Sequence, residues 1–161
     1  VAVLTNSSLL NDPEVRAALS NADIVAAKLD APNEELFQTI NRPIEGLSFE
    51  SVVQGIIEFR KQFKGKLALE IMFVAPNQNH AAEMAQLAKH INPDEIQLDT
   101  PLRKPSEYAP LSEEEMNVIL AEFRRIIPDS IPVSSIYDLK TPQLSPIDES
   151  ETKSRRPGEP V

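Results

Sequence analysis

Residues 65–74 read GKLALEIMFV, and the way these ten alternate decides the fold. In an extended strand, successive side chains point to opposite faces. Leu67, Leu69, Ile71 and Phe73 therefore share one face, an unbroken apolar row suited to lying under helices. Ala68, Glu70 and Met72 share the other. The same split recurs in two more stretches. Residues 23–30, DIVAAKLD, set Val25, Ala27 and Leu29 against Ala26, Lys28 and Asp30. Residues 94–100, DEIQLDT, set Ile96 and Leu98 against Glu95, Gln97 and Asp99. Three strands thus turn a polar line toward one side. A parallel strand covered on both faces is instead nearly continuous in Val, Ile and Leu, and an unpaired buried charge is strongly destabilising. Lys28, Glu70, Gln97 and Asp30 are therefore either paired among themselves, Lys28 with Glu70 or Asp30 in a structural ion pair, or they line a wet lumen that admits a polar ligand.

Helical patterns separate the strands. Asp12 and Pro13 read as the N-cap and first residue of a helix reaching about Ser20. A short helix follows Asn33, and residues 41–46, NRPIEG, are turn chemistry. Ser48 caps a helix striped by Phe49, Val52, Val53, Ile56 and Phe63. Beyond PNQN, Met84, Leu87, Ala88 and Ile91 fall at helical spacing. Ser112 and Glu115 form a capping box ahead of Met116, Ile119, Leu120, Phe123 and Ile127. With residues 1–5, VAVLT, and residues 131–138, IPVSSIYD, there are about five strands.

Alternating strands and helices on short connections imply parallel βαβ units. The expected class is α/β: a partial (β/α) barrel of about five parallel strands with helices on the outer face, over residues 1–140. Five strands do not close an eight-stranded barrel. An open first strand shows unpaired main-chain groups, so residues 1–5 are expected to be covered, by a second copy in self-association or by the tail. That tail, residues 141–161, is rich in Pro, Ser, Glu and Arg and reads as polar, flexible or draped.

Composition narrows the chemistry. The net charge of −9 argues against non-specific nucleic-acid binding. There is no cysteine, hence no disulfide or thiolate metal site within these residues. The best apolar run, LALEIMFVA, is too short for a bilayer and Glu70 interrupts it, so the expectation is a cytoplasmic protein without membrane partners. With four glycines there is no glycine-rich phosphate loop. His80 and His90 stand ten residues apart, without a ligand spacing, and Ser7 and Ser8 lack a nucleophile-elbow context.

Ligands in parallel α/β folds bind outside the carboxyl ends of strands. Thr5–Asn6, Leu29–Ala31, Ala75–Asn79 and Asp99–Arg103 lie there. Each also has a plainer reading: Asn6 as a turn residue, Arg103 as a surface charge, and Pro76–Asn77 as a chain break before a helix.

These strand-end phrases, in this order, resemble the radical S-adenosylmethionine superfamily. VLTNSSLL looks like its third-strand TNG segment, VAAKLDAPNEELFQTINRP like the fourth strand and its turn, IMFVAPNQN like the fifth and PDEIQLDTPLRKP like the sixth. The subgroup it most resembles is that of wyosine-base-synthase-like enzymes, including their RRPG-type tail. Members begin with two further βα units carrying a CxxxCxxC loop and a glycine-rich strand, both lacking here, so the resemblance implies a C-terminal part of a larger enzyme. It implies that the full-length protein uses S-adenosylmethionine and a [4Fe–4S] cluster for radical oxidoreductase or lyase chemistry on an unknown small molecule or RNA base, the 161 residues alone holding no cofactor and being inactive. It implies cofactor contacts at Asn6, Lys28, Asp30, Val74, Asn77 and Gln97. Thr100 and Arg103 would face substrate, as would Glu70 and Met72 from strand alternation. Lys28 stands where members often have Ser, which leaves its ribose contact open. Two other readings remain: a lyase or aldolase-type barrel with Lys28 as a Schiff-base amine, and a non-enzymatic half-barrel that binds or assembles.

Overall fold

The computed structural model describes residues 1–103 and 106–138. The expected tail at 141–161 lies outside the described residues. The order is β1 (Ala2–Thr5), α1 (Pro13–Leu19), β2 (Ile24–Lys28), α2 (Glu34–Ile40), α3 (Phe49–Gln62), β3 (Lys66–Met72), α4 (Ala81–Ile91), β4 (Glu95–Asp99), α5 (Glu113–Ile126) and β5 (Val133–Ser135). All strand pairs are parallel, and the spatial order equals the chain order, β1-β2-β3-β4-β5. With no reversal, right-handed crossovers put every helix on the same side. The result is the expected partial barrel, with its other face left open.

Helix starts follow the capping chemistry. Asp12 accepts from the Glu14 N–H and Asn33 from that of Leu36. Ser48 accepts from Ser51, and Ser112 and Glu115 close the reciprocal box. Leu67, Leu69, Ile71 and Phe73 are all fully buried beneath these helices. Phe73 meets Phe123 edge-on at 5.9 Å, and α3 approaches the loop after β1 so closely that a Cβ on Gly55 would fall 2.6 Å from the Asn11 nitrogen. Arg60 grips Asp94 with two hydrogen bonds of 2.9 and 3.1 Å, and Asp94 also accepts from the Leu67 N–H at the start of β3.

The last strand is shorter than expected. After Ser135 the chain turns through a single 3-10 turn, Ile136–Asp138, because the Asp138 carboxylate accepts the Ser135 N–H at 3.0 Å and takes the donor a ladder would use. The helix expected after PNQN is α4, entered through a 3-10 turn at Gln78–His80. At the opposite edge β1 has its Leu4 side chain 63% exposed.

Candidate functional site

The register brings the polar alternation into one row. Lys28 of β2 sits beside Glu70 of β3, Glu70 beside Gln97 of β4, and Gln97 beside Ser134 of β5. Side chains two residues apart share a face, so this row lies on the open side, with Met72 and Asp99 paired in the next row. Lys28 Nζ is 3.1 Å from Glu70 Oε1 and 3.9 Å from Asp30 Oδ1. The ion pair that the sequence offered forms, and it lies on the uncovered face.

Beside the row is a cavity of about 300 Å³ lined by Glu70, Glu95, Gln97, Asp99 and Ser134, with Ile136 from the turn after β5. Its charge is lopsided. Burial alone would pull the Lys28 ammonium down, but the charges of Asp30 and Glu70, the hydrogen bond to Glu70 and the charge of Asp99 outweigh it and hold it above its ordinary value. Burial pushes the Asp30 carboxyl up, and Lys28, the Met72 N–H and the Asn41 amide offset only part of this. Asp99 is pushed up as well, by burial first and then by the Glu70 charge, against the Thr100 N–H, Lys28 and Arg103. Lys28 is the cation common to Asp30, Glu70 and Asp99, and Arg103 adds its charge at Asp99.

The strand-end residues separate into two groups. Asp30, Val74, Asn77 and Thr100 are each no more than 3% exposed. Asn77 accepts the Val74 N–H at 2.7 Å and donates to the Asp30 and Met72 carbonyls at 2.8 and 2.9 Å. Asp30 accepts from the Met72 N–H at 2.9 Å and the Asn41 amide at 3.1 Å. Thr100 donates to the Phe73 carbonyl at 3.0 Å and accepts the Leu111 N–H at 2.9 Å. With their polar atoms engaged internally, these residues brace the ends of β2, β3 and β4 instead of lining the cavity. The open group is Lys28, Glu70, Met72 and Gln97. Arg103 is exposed at the rim, and Asn6 lines a separate pocket with Ser8, Asn41 and Arg42.

Glu95, Asp99 and Ser134 line the cavity, and the period-two alternation that marked Glu70 and Gln97 was the signal for them too. Ser7 gave no such signal. It is fully buried with φ 66°, and its hydroxyl donates to the Lys28 carbonyl at 2.8 Å, fixing the exit of β1 to that of β2.

Two solved structures share this architecture. A radical SAM methyltransferase from Sphaerobacter thermophilus superposes with a TM-score of 0.61 at 19% identity, over 83% of this chain and 40% of that one. A domain of pyruvate-formate lyase-activating enzyme from Bacteroides vulgatus superposes with a TM-score of 0.64 at 14% identity, over 83% and 79%. The fold is the partial (β/α) barrel that both of these chains contain. At these identities the likeness is one of fold. No protein-family profile matches the chain. Among curated proteins, a UPF0026 protein of Methanocaldococcus jannaschii is 36% identical over 132 residues, which is 79% of this chain and 41% of that protein. A UPF0026 protein of Synechocystis is 41% identical over 102 residues, 63% of this chain and 38% of that protein. A protein named GTPase Obg from Brachyspira hyodysenteriae is 35% identical over 143 residues, 86% of this chain and 21% of that protein. The chain thus spans between about a fifth and two fifths of the curated relatives it matches. Among the described residues, no helix is long and apolar enough to cross a membrane.

Proposed function

We propose that this chain is the substrate-side part of a radical S-adenosylmethionine enzyme. The observation that carries the reading is the in-register row Lys28–Glu70–Gln97–Ser134 on the uncovered face of a radical-SAM-type sheet. The residues present do not fit an iron–sulfur cluster, since such clusters are held by thiolates and the 161 residues include no cysteine. Cluster ligands would come from outside them. The residues fit the nucleoside part of S-adenosylmethionine better, because Glu70 and Asp99 accept from hydroxyl or amino groups and Gln97 both donates and accepts. In enzymes of this kind the cluster and cofactor together supply the radical that takes hydrogen from substrate. The part played by this chain is binding: the row orients a polar molecule against the sheet while the Asp30–Asn77–Thr100 braces hold the strand ends still. A wyosine-base-synthase-like placement, with an RNA base as substrate in the cytoplasm, rests on the strand-end phrases VAAKLDAPNEELF and PDEIQLDTPLRKP.

The other readings fare worse. A Schiff-base amine must shed its proton, whereas Glu70 and Asp30 hold Lys28 as an ammonium. A GTPase reading, suggested by the name of the Brachyspira relative, finds no Gly-x4-Gly-Lys-Ser/Thr loop within these 161 residues, which span 21% of that relative, so nothing on this chain favours it. The test is anaerobic reconstitution of the full-length protein with iron and sulfide, then reduction with S-adenosylmethionine present. The expected outcome is cluster absorbance and 5′-deoxyadenosine; a protein that takes up no cluster and forms none of that product overturns the reading.

A further inference from the structure

A second cavity, of about 220 Å³, opens at the carboxyl end of β1 and β2, between the loop after β1 and the turn after α2. Its chemistry is unlike that of the acidic row. Arg42 is the one charged group lining it, and Phe37, Pro43, Ile44 and Leu47 form its apolar wall. Ile44 is 77% exposed at the rim.

Existing hydrogen bonds fix which polar atoms are left to act. The Asn6 side-chain oxygen accepts from both the Ser8 N–H, at 3.1 Å, and the Ser8 hydroxyl, at 2.7 Å. Among the described residues the Asn6 amide nitrogen donates to no one, so Asn6 is a donor at this pocket. Arg42 gives one guanidinium nitrogen to Glu107 and, among the described residues, keeps its other N–H groups. Asn41 ties the pocket to the row by donating to Asp30.

The backbone at Arg42 is the second observation. A residue that precedes proline is disfavoured outside extended conformations, and positive φ is uncommon for any non-glycine residue. Arg42 precedes Pro43 and has φ 46°. Strained residues of this kind persist where the surroundings over-determine them, and they cluster at ligand clamps. Here the strained residue lines the same pocket as Asn6 and the apolar wall.

The geometry points to a binding site for an oxyanion, a carboxylate or phosphate, carried on an apolar or aromatic body. The guanidinium and the Asn6 amide take the oxygens, the Phe37–Ile44–Leu47 wall takes the body, and the acidic row of Glu70 and Asp99 repels the anion from the first cavity. The site goes beyond the radical reading and does not depend on it.

The test is titration of the full-length protein, without cluster or cofactor, with benzoate, phenyl phosphate and the neutral isostere benzamide, followed by the Asn side-chain amide and Arg side-chain NMR signals. Benzoate or phenyl phosphate is expected to bind at least tenfold more tightly than benzamide. Arg42→Gly and Arg42→Gln are each expected to weaken the anion at least tenfold, while Arg42→Gly raises the thermal midpoint by releasing the strained φ. Anion binding within tenfold of benzamide, or within tenfold of wild type in both variants, overturns the site. Displacement of benzoate by S-adenosylmethionine would assign the anion to the cofactor's carboxylate, and retention to a substrate's. Failure of this titration leaves 5′-deoxyadenosine formation unaffected as a test of the radical reading, and the converse holds.

Discussion

At the end of β3, Ile71 and the next residue but one, Phe73, face the helices while Met72 between them faces the open side. The first face is finished: its four apolar residues are completely buried and close-packed. The second is half-wet, charged and shared by four strands in register. One strand therefore carries two kinds of free energy, packing on one side and hydrogen bonding with partial charge compensation on the other. What differs between them is how much a substitution disturbs the fold and how much it disturbs a ligand.

The largest test of that contrast sets neighbours against each other. Phe73→Ala removes a fully buried ring and is expected to cost about 3–5 kcal/mol in urea denaturation, while Met72→Ala is expected to cost about 1 kcal/mol or less. Equal losses would mean that the open face is packed after all. Next comes the brace. Asn77→Ala deletes three hydrogen bonds to main-chain groups at buried positions, for an expected loss of about 2–4 kcal/mol at roughly 1 kcal/mol each. A loss near zero would show that the strand ends hold without it.

The third test uses pH. The folded state holds a proton on Asp30 more tightly than the unfolded chain does, so wild-type stability from this group falls as pH rises from 3.8 through the raised value. Asp30→Asn removes that dependence. The difference in urea midpoint between variant and wild type should grow in favour of the variant across that window, and a difference that is flat with pH would refute the burial of the carboxylate. The smallest effect belongs to Glu70→Gln, which leaves Lys28 with Asp30 and is expected to cost about 1 kcal/mol or less because the pair is partly exposed. For Lys28 the slope has the same sign but lies in an alkaline window. Its raised pKa contributes stability present below 10.5 and lost as pH climbs through the raised value. The alkaline arm of unfolding should move to lower pH in Glu70→Gln.

The fold was legible because its signals are local: alternation of period two in β2, β3 and β4, and caps at Asp12, Asn33, Ser48 and Ser112. The open row was legible for the same reason, since parallel register carries alternation from strand to strand. The braces were legible only in part. Asn77 and Thr100 stood out as strand-end residues, but their partners lie 47 and 27 residues away in sequence, and only the folded sheet shows that their polar atoms are already engaged. Arg42 reaches Glu107 across 65 residues, and nothing in NRPIEG announces a positive φ on the arginine. Turn propensity marks where the chain bends, while tertiary contacts choose which residue bears the strain.

The side chains of Asn77 and Thr100 bond to main-chain atoms alone. Carbonyls and amides are present whatever side chain a position carries, so the rim keeps its shape when the segments beyond it change in sequence. A grafted loop of foreign origin, inserted after Thr100 and ahead of Leu111, would meet a socket already set, and a catalogue of related specificities could be built by exchanging that piece while the strands beneath stay untouched.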